Sequence, residues 1–207
     1  MPKLIPAILE KDADSVARKI DLLQTTSLDT IHLDVMDNLA VPNFSWGVAE
    51  VARYFRCKLE VHLMVKDPIA EAKKWLPLPN VVRVIARSEE IDDFTEYFRL
   101  VKNIGKIGLA IDPTTVFSEE LLRIPFHNHI LIMDVVSGFS GQQFHSSVLS
   151  RINAVKEHWP LATIGVDGGM NVETIPKVKD IGVHVINAAS YFWNSDGFAK
   201  KILFIEN

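Results

Sequence analysis

The chain carries a single cysteine, Cys57, which excludes an internal disulfide and fits a reducing compartment. It has no run of lysines or arginines. Its 22 basic residues are outnumbered by 26 acidic ones, giving a formal charge of −4 and arguing against a nucleic-acid partner. No apolar stretch approaches the roughly 18 residues that a membrane-spanning helix needs. The apolar run within Met1–Asp14 is too short for a secretory signal. Linkers and low-complexity inserts are also missing. These absences predict a soluble, cytoplasmic protein with no membrane partner. What remains, 207 residues with 48% hydrophobic and 23% charged content, suits one large domain over residues 1–207.

Short β-branched or leucine-rich runs alternate with amphipathic stretches along the whole chain. The strand candidates are Leu4–Leu9, Thr30–Met36, Leu59–Val65, Val81–Ala86, Ile107–Ile111, Ile130–Val135, Thr163–Val166 and Val183–Ala188. Helical patterns are clearest in Asp12–Leu23, Ile91–Asn103, Ser147–His158, Val172–Asp180 and Asp196–Phe204. Asn171 with Thr174 reads as a helix start, and Gly182 as the stop of the same helix. This alternation predicts an α/β fold, a closed (β/α)8 TIM barrel. An open doubly wound sheet is disfavoured because Glu10-Lys11-Asp12, not a glycine-rich phosphate cradle, follows the first strand.

In a barrel, the carboxyl ends of the strands form the active-site face. His32 and Asp34 (in IHLDVMD), His62 (in LEVHLMV) and Asp167 (in IGVDGG) fall at or near such ends. Alternate strand residues share a face, so His32, Asp34 and Met36 point together, as do His62 and Met64. Burying Asp34 unpaired would cost several kcal/mol, so it needs a cation or a hydrogen-bonding partner. Two imidazoles and two carboxylates suit one divalent ion, with Zn2+ or Fe2+ ahead of Mn2+ or Co2+. The remaining histidines, His127, His129, His145, His158 and His184, read as satisfied core or surface residues.

Two further groups share the strand ends. Met36, Met64 and Met133 either fill the core or form an apolar cap that keeps water from a charged intermediate. Gly138-Phe139-Ser140-Gly141, Gly168-Gly169 and Ala189-Ser190 follow strands six, seven and eight. Barrels often bind a substrate phosphate with backbone N–H groups at those last loops.

Taken together, the segments IPAIL (5–9), IHLDVMD (31–37), VPN (41–43), VHLM (61–64), LIM (131–133), GFSGQ (138–142) and VDGG (166–169) resemble the ribulose-phosphate 3-epimerases over nearly the whole chain. The resemblance implies a (β/α)8 barrel with one divalent metal on His32, Asp34, His62 and Asp167. It also implies that Asp34 and Asp167 are the acid/base pair, working on opposite faces of a small phosphorylated ketose. The expected activity is interconversion of D-ribulose 5-phosphate and D-xylulose 5-phosphate, a step of the pentose phosphate pathway. Members of the family commonly associate, so a homo-oligomer is compatible with it.

The residues expected to contact substrate depart from the family pattern. Ala7 stands in place of a serine, and Asn38-Leu39-Ala40 in place of Gly-His-Phe. Arg87-Ser88-Glu89 replaces His-x-Glu, Val136-Ser137-Gly138-Phe139-Ser140-Gly141 replaces Asn-Pro-Gly-Phe-Gly-Gly, and Ala189-Ser190 replaces Gly-Ser. Two alternatives follow: a 3-epimerase of another ketose phosphate, such as a hexulose 6-phosphate, or a weakly active or non-catalytic sugar-phosphate-binding paralogue. A decarboxylase of related fold is disfavoured, since its Asp-x-Lys-x-x-Asp run is absent from 32–37, which reads His-Leu-Asp-Val-Met-Asp.

Overall fold

A computed structural model describes residues 1–52, 55–100, 106–123, 128–139, 143–194 and 197–207. Its strands are β1 (Lys3–Ile8), β2 (Thr30–Met36), β3 (Lys58–Met64), β4 (Val81–Arg87), β5 (Ile107–Ile111), β6 (His129–Met133), β7 (Thr163–Asp167) and β8 (Val185–Ala188). They pair in parallel in chain order, and β8 closes on β1, so the predicted (β/α)8 barrel is what forms. Between the strands lie α1 (Ala13–Leu23), α2 (Ala49–Ala52), α3 (Pro68–Trp75), α4 (Phe94–Arg99), α5 (Glu119–Leu122), α6 (Ser147–His158), α7 (Ile175–Asp180), α8 (Ser190–Trp193) and α9 (Phe198–Glu206). Among the described residues, no helix is long and apolar enough to cross a membrane.

Local chemistry explains the boundaries. Asp12 caps α1 by accepting from the Ser15 amide, and Asp67 caps α3 from the Ala70 amide with Pro68 at the first helical position. The α7 helix starts three residues later than its pattern suggests. Asn171 spends its carboxamide on the amides of Glu173 and Thr174, holding those residues in a capping turn. Gly182 ends that segment in the left-handed region (φ 81°), where its missing Cβ removes the strain. The predicted helix over Ile91–Asn103 is shorter as α4, and its last three residues lie outside the described ones. The eighth strand begins at Val185 rather than Val183, and the sixth ends at Met133 rather than Val135.

The main core lies between the outer wall of the barrel and the helices, with Leu33, Leu63, Trp75, Ile152, Val166 and Phe192 almost fully buried. A second, smaller apolar cluster fills one side of the interior: Ile85, Ala110, Leu131 and Met133. Lower in the same interior, His129 is 2% exposed, and neither ring nitrogen has a hydrogen-bond partner. That corrects its reading as a satisfied histidine: it is a plug. A Cβ at Gly165 would come within 2.7 Å of its Nε2.

Candidate metal centre and active-site cleft

β2 and β3 pair rung by rung from Thr30 and Lys58 to Met36 and Met64. Because alternate residues face inward, three rungs stack toward the carboxyl end: His32 beside Glu60, Asp34 beside His62, and Met36 beside Met64. Asp167 enters from the end of β7, two strands away from β1, paired in register with Met133. His32 and His62 are fully buried, and Asp34 is 2% exposed.

The four predicted ligands converge: one donor atom from each lies within 4.8 Å of the others. Asp34 Oδ1 is 2.9 Å from His62 Nδ1 and 3.3 Å from His32 Nε2, and His32 Nε2 is 3.9 Å from Asp167 Oδ2. Donors sharing one ion through bonds of about 2.1 Å sit about 3.0–3.4 Å apart at octahedral or tetrahedral edges. His32 Nε2 is buried without a hydrogen-bond partner, as expected of a nitrogen that serves an ion. Charge agrees with this geometry. Three buried carboxylates (Asp34, Asp167 and Glu60) and the Arg83 guanidinium bound to Glu60 leave two negative charges, which one divalent cation balances with both imidazoles neutral. The residues present fit a divalent metal.

Protonation in the metal-free protein follows from the same contacts. Burial favours the neutral form of His32, but Asp34 and the hydrogen bond to Glu60 outweigh it and raise its pKa well above the ordinary range. Burial would raise Asp34 as well, yet the two histidines hold it at about 2. Asp167 goes the other way: burial first, then the Asp34 charge, push it up to about 6. One carboxylate is thus a committed anion and its neighbour a group that can carry a proton near neutrality.

Above this centre opens a cleft lined by Asp34 and Asp167 themselves, with Met64, Met133, Gly138, Phe139, Gly168, Gly169, Ala189 and Ser190 from the predicted substrate shell. Leu9, Val135, Ser137, Met170, Asn187 and Ala188 complete the wall. Met36 packs with Val41 and Met64 and does not line the cleft. Ala7 is fully buried beside His32, and its carbonyl accepts from Trp193 Nε1 at 2.6 Å. Ser140 and Gly141 lie outside the described residues. Gly168 (φ 101°) and Gly169 (φ 60°) turn the chain sharply, and the Gly168 amide donates to Asp167 Oδ1 at 2.8 Å, fixing that carboxylate.

Three sets of buried contacts around the site were not foreseen in the sequence, although Arg87 and Ser137 were noted there as departures from the family pattern. Glu60 accepts from His32 Nδ1 at 2.7 Å and from Asn187 Nδ2 at 2.8 Å, and its other oxygen meets Arg83. It sits two residues before His62 on the same strand face, so the period that exposed His62 also contained it. Arg87 Nη2 donates to Asp112 at 2.8 Å, and Ser137 Oγ donates to the same carboxylate at 2.6 Å. That chain anchors the strand-six loop at the cleft, and Asn43 holds the loop from the opposite side by donating to the Gly138 carbonyl at 2.6 Å. Asp134, pushed up to about 6 by burial, accepts from the His145 amide outside the ligand set.

A parallel eight-stranded barrel with a buried two-histidine, two-aspartate centre beneath its carboxyl-end cleft is the frame of a metal-assisted barrel enzyme. The model of the Ribulose-phosphate 3 epimerase family matches residues 3–193, and the chain belongs to that family, whose members are isomerases acting on carbohydrates. It is 30% identical over 206 residues to a ribulose-phosphate 3-epimerase of Chlamydia trachomatis, covering 95% of this chain and 88% of that one. It is 31% identical over 204 residues to one from Helicobacter pylori, covering 93% and 91%. Among solved structures it resembles KGPDC from Streptococcus mutans (TM-score 0.69, 12% identity, 100% and 96% covered). It likewise resembles 3-hexulose-6-phosphate synthase from Salmonella typhimurium (TM-score 0.68, 13% identity, 98% and 96% covered). Those two likenesses concern the fold alone.

Proposed function

We propose that this chain interconverts D-ribulose 5-phosphate and D-xylulose 5-phosphate by moving the C3 proton between Asp34 and Asp167. The observation that carries the reading is that these two carboxylates, from β2 and β7, face one cleft and belong to one buried cluster with His32 and His62. Epimerisation requires a base on one face of C3 and an acid on the other, with the enediolate held between them. When bound, a divalent ion on His32, Asp34, His62 and Asp167 supplies polarisation of the C2 ketone and offsets the negative charge of the enediolate.

The chain's own residues do the rest. An ionised carboxylate takes the C3 proton, and the protonated one returns a proton from the opposite side; the reverse reaction exchanges the roles. Met64 and Met133 line the cleft as apolar walls, which keeps water from the enediolate and strengthens every charge interaction there. The Gly169 amide and the Ala189–Ser190 segment supply backbone N–H groups to the phosphate. Held at that end, the substrate keeps C3 between the carboxylates.

The test is proton NMR of D-ribulose 5-phosphate in D2O with the metal-loaded protein. Loss of the C3–H signal together with appearance of xylulose 5-phosphate is the expected result. No exchange, under conditions where a control epimerase is active, would overturn the reading. A hexulose 6-phosphate is the second substrate candidate. It is favoured by Ala189, whose methyl narrows the phosphate end, and by Leu39, which is 74% exposed where the family pattern has histidine. Faster turnover of ribulose phosphate than of any hexulose phosphate in a panel would exclude it.

A further inference from the structure

We infer that Glu60 is a positioning residue for the metal centre: clamped between Arg83 and Asn187, it keeps the proton on His32 Nδ1 and turns the Nε2 lone pair toward Asp34, His62 and Asp167. The inference rests on the reading that the centre holds a divalent ion, and it concerns residues outside the ligand set.

Hydrogen-bond chemistry forces the assignment. A carboxylate only accepts, so in the 2.7 Å contact between His32 Nδ1 and Glu60 Oε1 the nitrogen must donate. A metal-ligating imidazole is neutral and has one N–H, so with an ion bound the lone pair that faces it resides on Nε2. That nitrogen has no hydrogen-bond partner and lies 3.3 Å and 3.9 Å from the two aspartates. The opposite tautomer would place two acceptors face to face at Nδ1 and close the Nε2 position to a cation.

Glu60 cannot drift from this role, because it is fully buried and both its oxygens are engaged. Oε1 serves His32 and Asn187 together, while Oε2 meets Arg83. Neutralising Arg83 alone would need no such geometry. Sharing one oxygen between the imidazole and a carboxamide fixes the direction of that oxygen, and so the plane of the ring. Asn187 is oriented by the same rule. Its Nδ2 must face the carboxylate, which leaves Oδ1 without a partner in a fully buried side chain that lines the cleft. The clamp therefore links the metal-ligating histidine to the wall of the substrate cleft.

The decisive experiment compares wild type, Asn187→Ala, Glu60→Asp and Glu60→Gln by two readouts that need no substrate. One is zinc affinity from competition with a chromophoric chelator. The other is the 1H–15N spectrum of the zinc-loaded proteins at the His32 ring. Wild type should show a slowly exchanging, downfield Nδ1–H resonance on His32. Shortening residue 60 withdraws the carboxylate by about 1.5 Å. Glu60→Asp should lose that resonance, Glu60→Gln should move it upfield because an amide oxygen is a weaker acceptor, and both should bind zinc roughly 10- to 100-fold more weakly. Asn187→Ala, which removes one of the hydrogen bonds to the Glu60 carboxylate, should shift the resonance and weaken zinc by a smaller factor, and it carries the test if a Glu60 variant fails to fold. Wild-type affinity and an unchanged His32 resonance in Asn187→Ala and Glu60→Asp would overturn the inference. A wild-type protein that binds no zinc would overturn both this inference and the metal reading. Zinc binding with the expected losses, but no turnover of ribulose phosphate, would support the clamp and defeat only the substrate assignment.

Discussion

The two sides of the barrel interior are built from strands of the same kind, yet they answer to different physics. On the β4–β6 side, above the His129 plug, the filling is Ile85, Ala110, Leu131 and Met133, which gain stability from burial and ask nothing of their surroundings. On the side of β2, β3, β7 and β8 the filling is His32, Glu60, Asp34, His62, Asp167 and Asn187, all buried and most of them ionisable. Removing such groups from water costs several kcal/mol per ion, offset only when every charge finds a partner. Arg83 and the hydrogen bonds of Asn187 and His32 satisfy Glu60, whereas His32 Nε2 has no hydrogen-bond partner and faces Asp34 and Asp167. The apolar side is a support that is complete in itself; the polar side is a site whose stability depends on what it holds.

That contrast can be broken most forcefully from the polar side. Asp34→Asn and Asp167→Asn should each lower kcat by about 10³–10⁴-fold and weaken metal binding, while circular dichroism shows an intact barrel. Wild-type turnover in either variant would end the two-carboxylate scheme. Chelation comes next in size. An ion present at about a thousand times its Kd stabilises by about 4 kcal/mol, so its removal should lower Tm on the order of 10 °C by differential scanning fluorimetry. An unchanged Tm would mean that the four ligands hold no ion in solution.

From the apolar side, Leu131→Ala should cost about 2–5 kcal/mol in urea unfolding through the cavity it leaves, with zinc affinity unaltered. A large loss of zinc affinity there would show that the two sides are coupled.

The pH dependence separates the loaded and metal-free states by sign. In the metal-free protein Asp167 has a pKa raised to about 6 against an ordinary 3.8. The folded state thus holds a proton that the unfolded chain has released, and this contribution is lost as pH rises from about 4 through 6, up to roughly 3 kcal/mol. The raised His32 acts in the same direction at higher pH. Metal binding displaces these protons, one from His32 and, below 6, a second from Asp167, so zinc affinity should instead increase with pH, falling about a hundredfold for each unit below 6. Calorimetric titrations at pH 5 and 7 read this directly; equal affinities would refute the proton competition. The smallest expected effect is Ala7→Ser, a few-fold gain in kcat/KM for ribulose phosphate in steady-state assays. Unchanged kinetics would place residue 7 outside the specificity of the cleft, in keeping with its burial beside His32.

The four-residue cluster was legible because a strand's period of two is rigid. His32 and Asp34 share a face wherever β2 goes, and four polar residues among aliphatic neighbours stand out. Glu60 obeys the same period and was readable in principle, but a glutamate near a strand start has a ready alternative as a solvent-facing residue. Only closure of the barrel turned it inward onto His32. The Arg87–Asp112–Ser137 chain joins the ends of three strands, 25 residues apart at each step, and no local pattern encodes it. Helix ends were misjudged where a side chain competed with the backbone, as at Asn171 before α7.

The sequence by itself determined the alternation of strand and helix, the faces on which its polar residues lie, and the four donors of one centre. These are local properties, set by backbone geometry and by the spacing of side chains along a single strand. The tertiary structure decided which donors meet, which imidazole nitrogen is left free, and how the charges of the pair are divided between Asp34 and Asp167. Those outcomes depend on distances between strands and on exclusion of water, which exist only once the eighth strand has closed on the first.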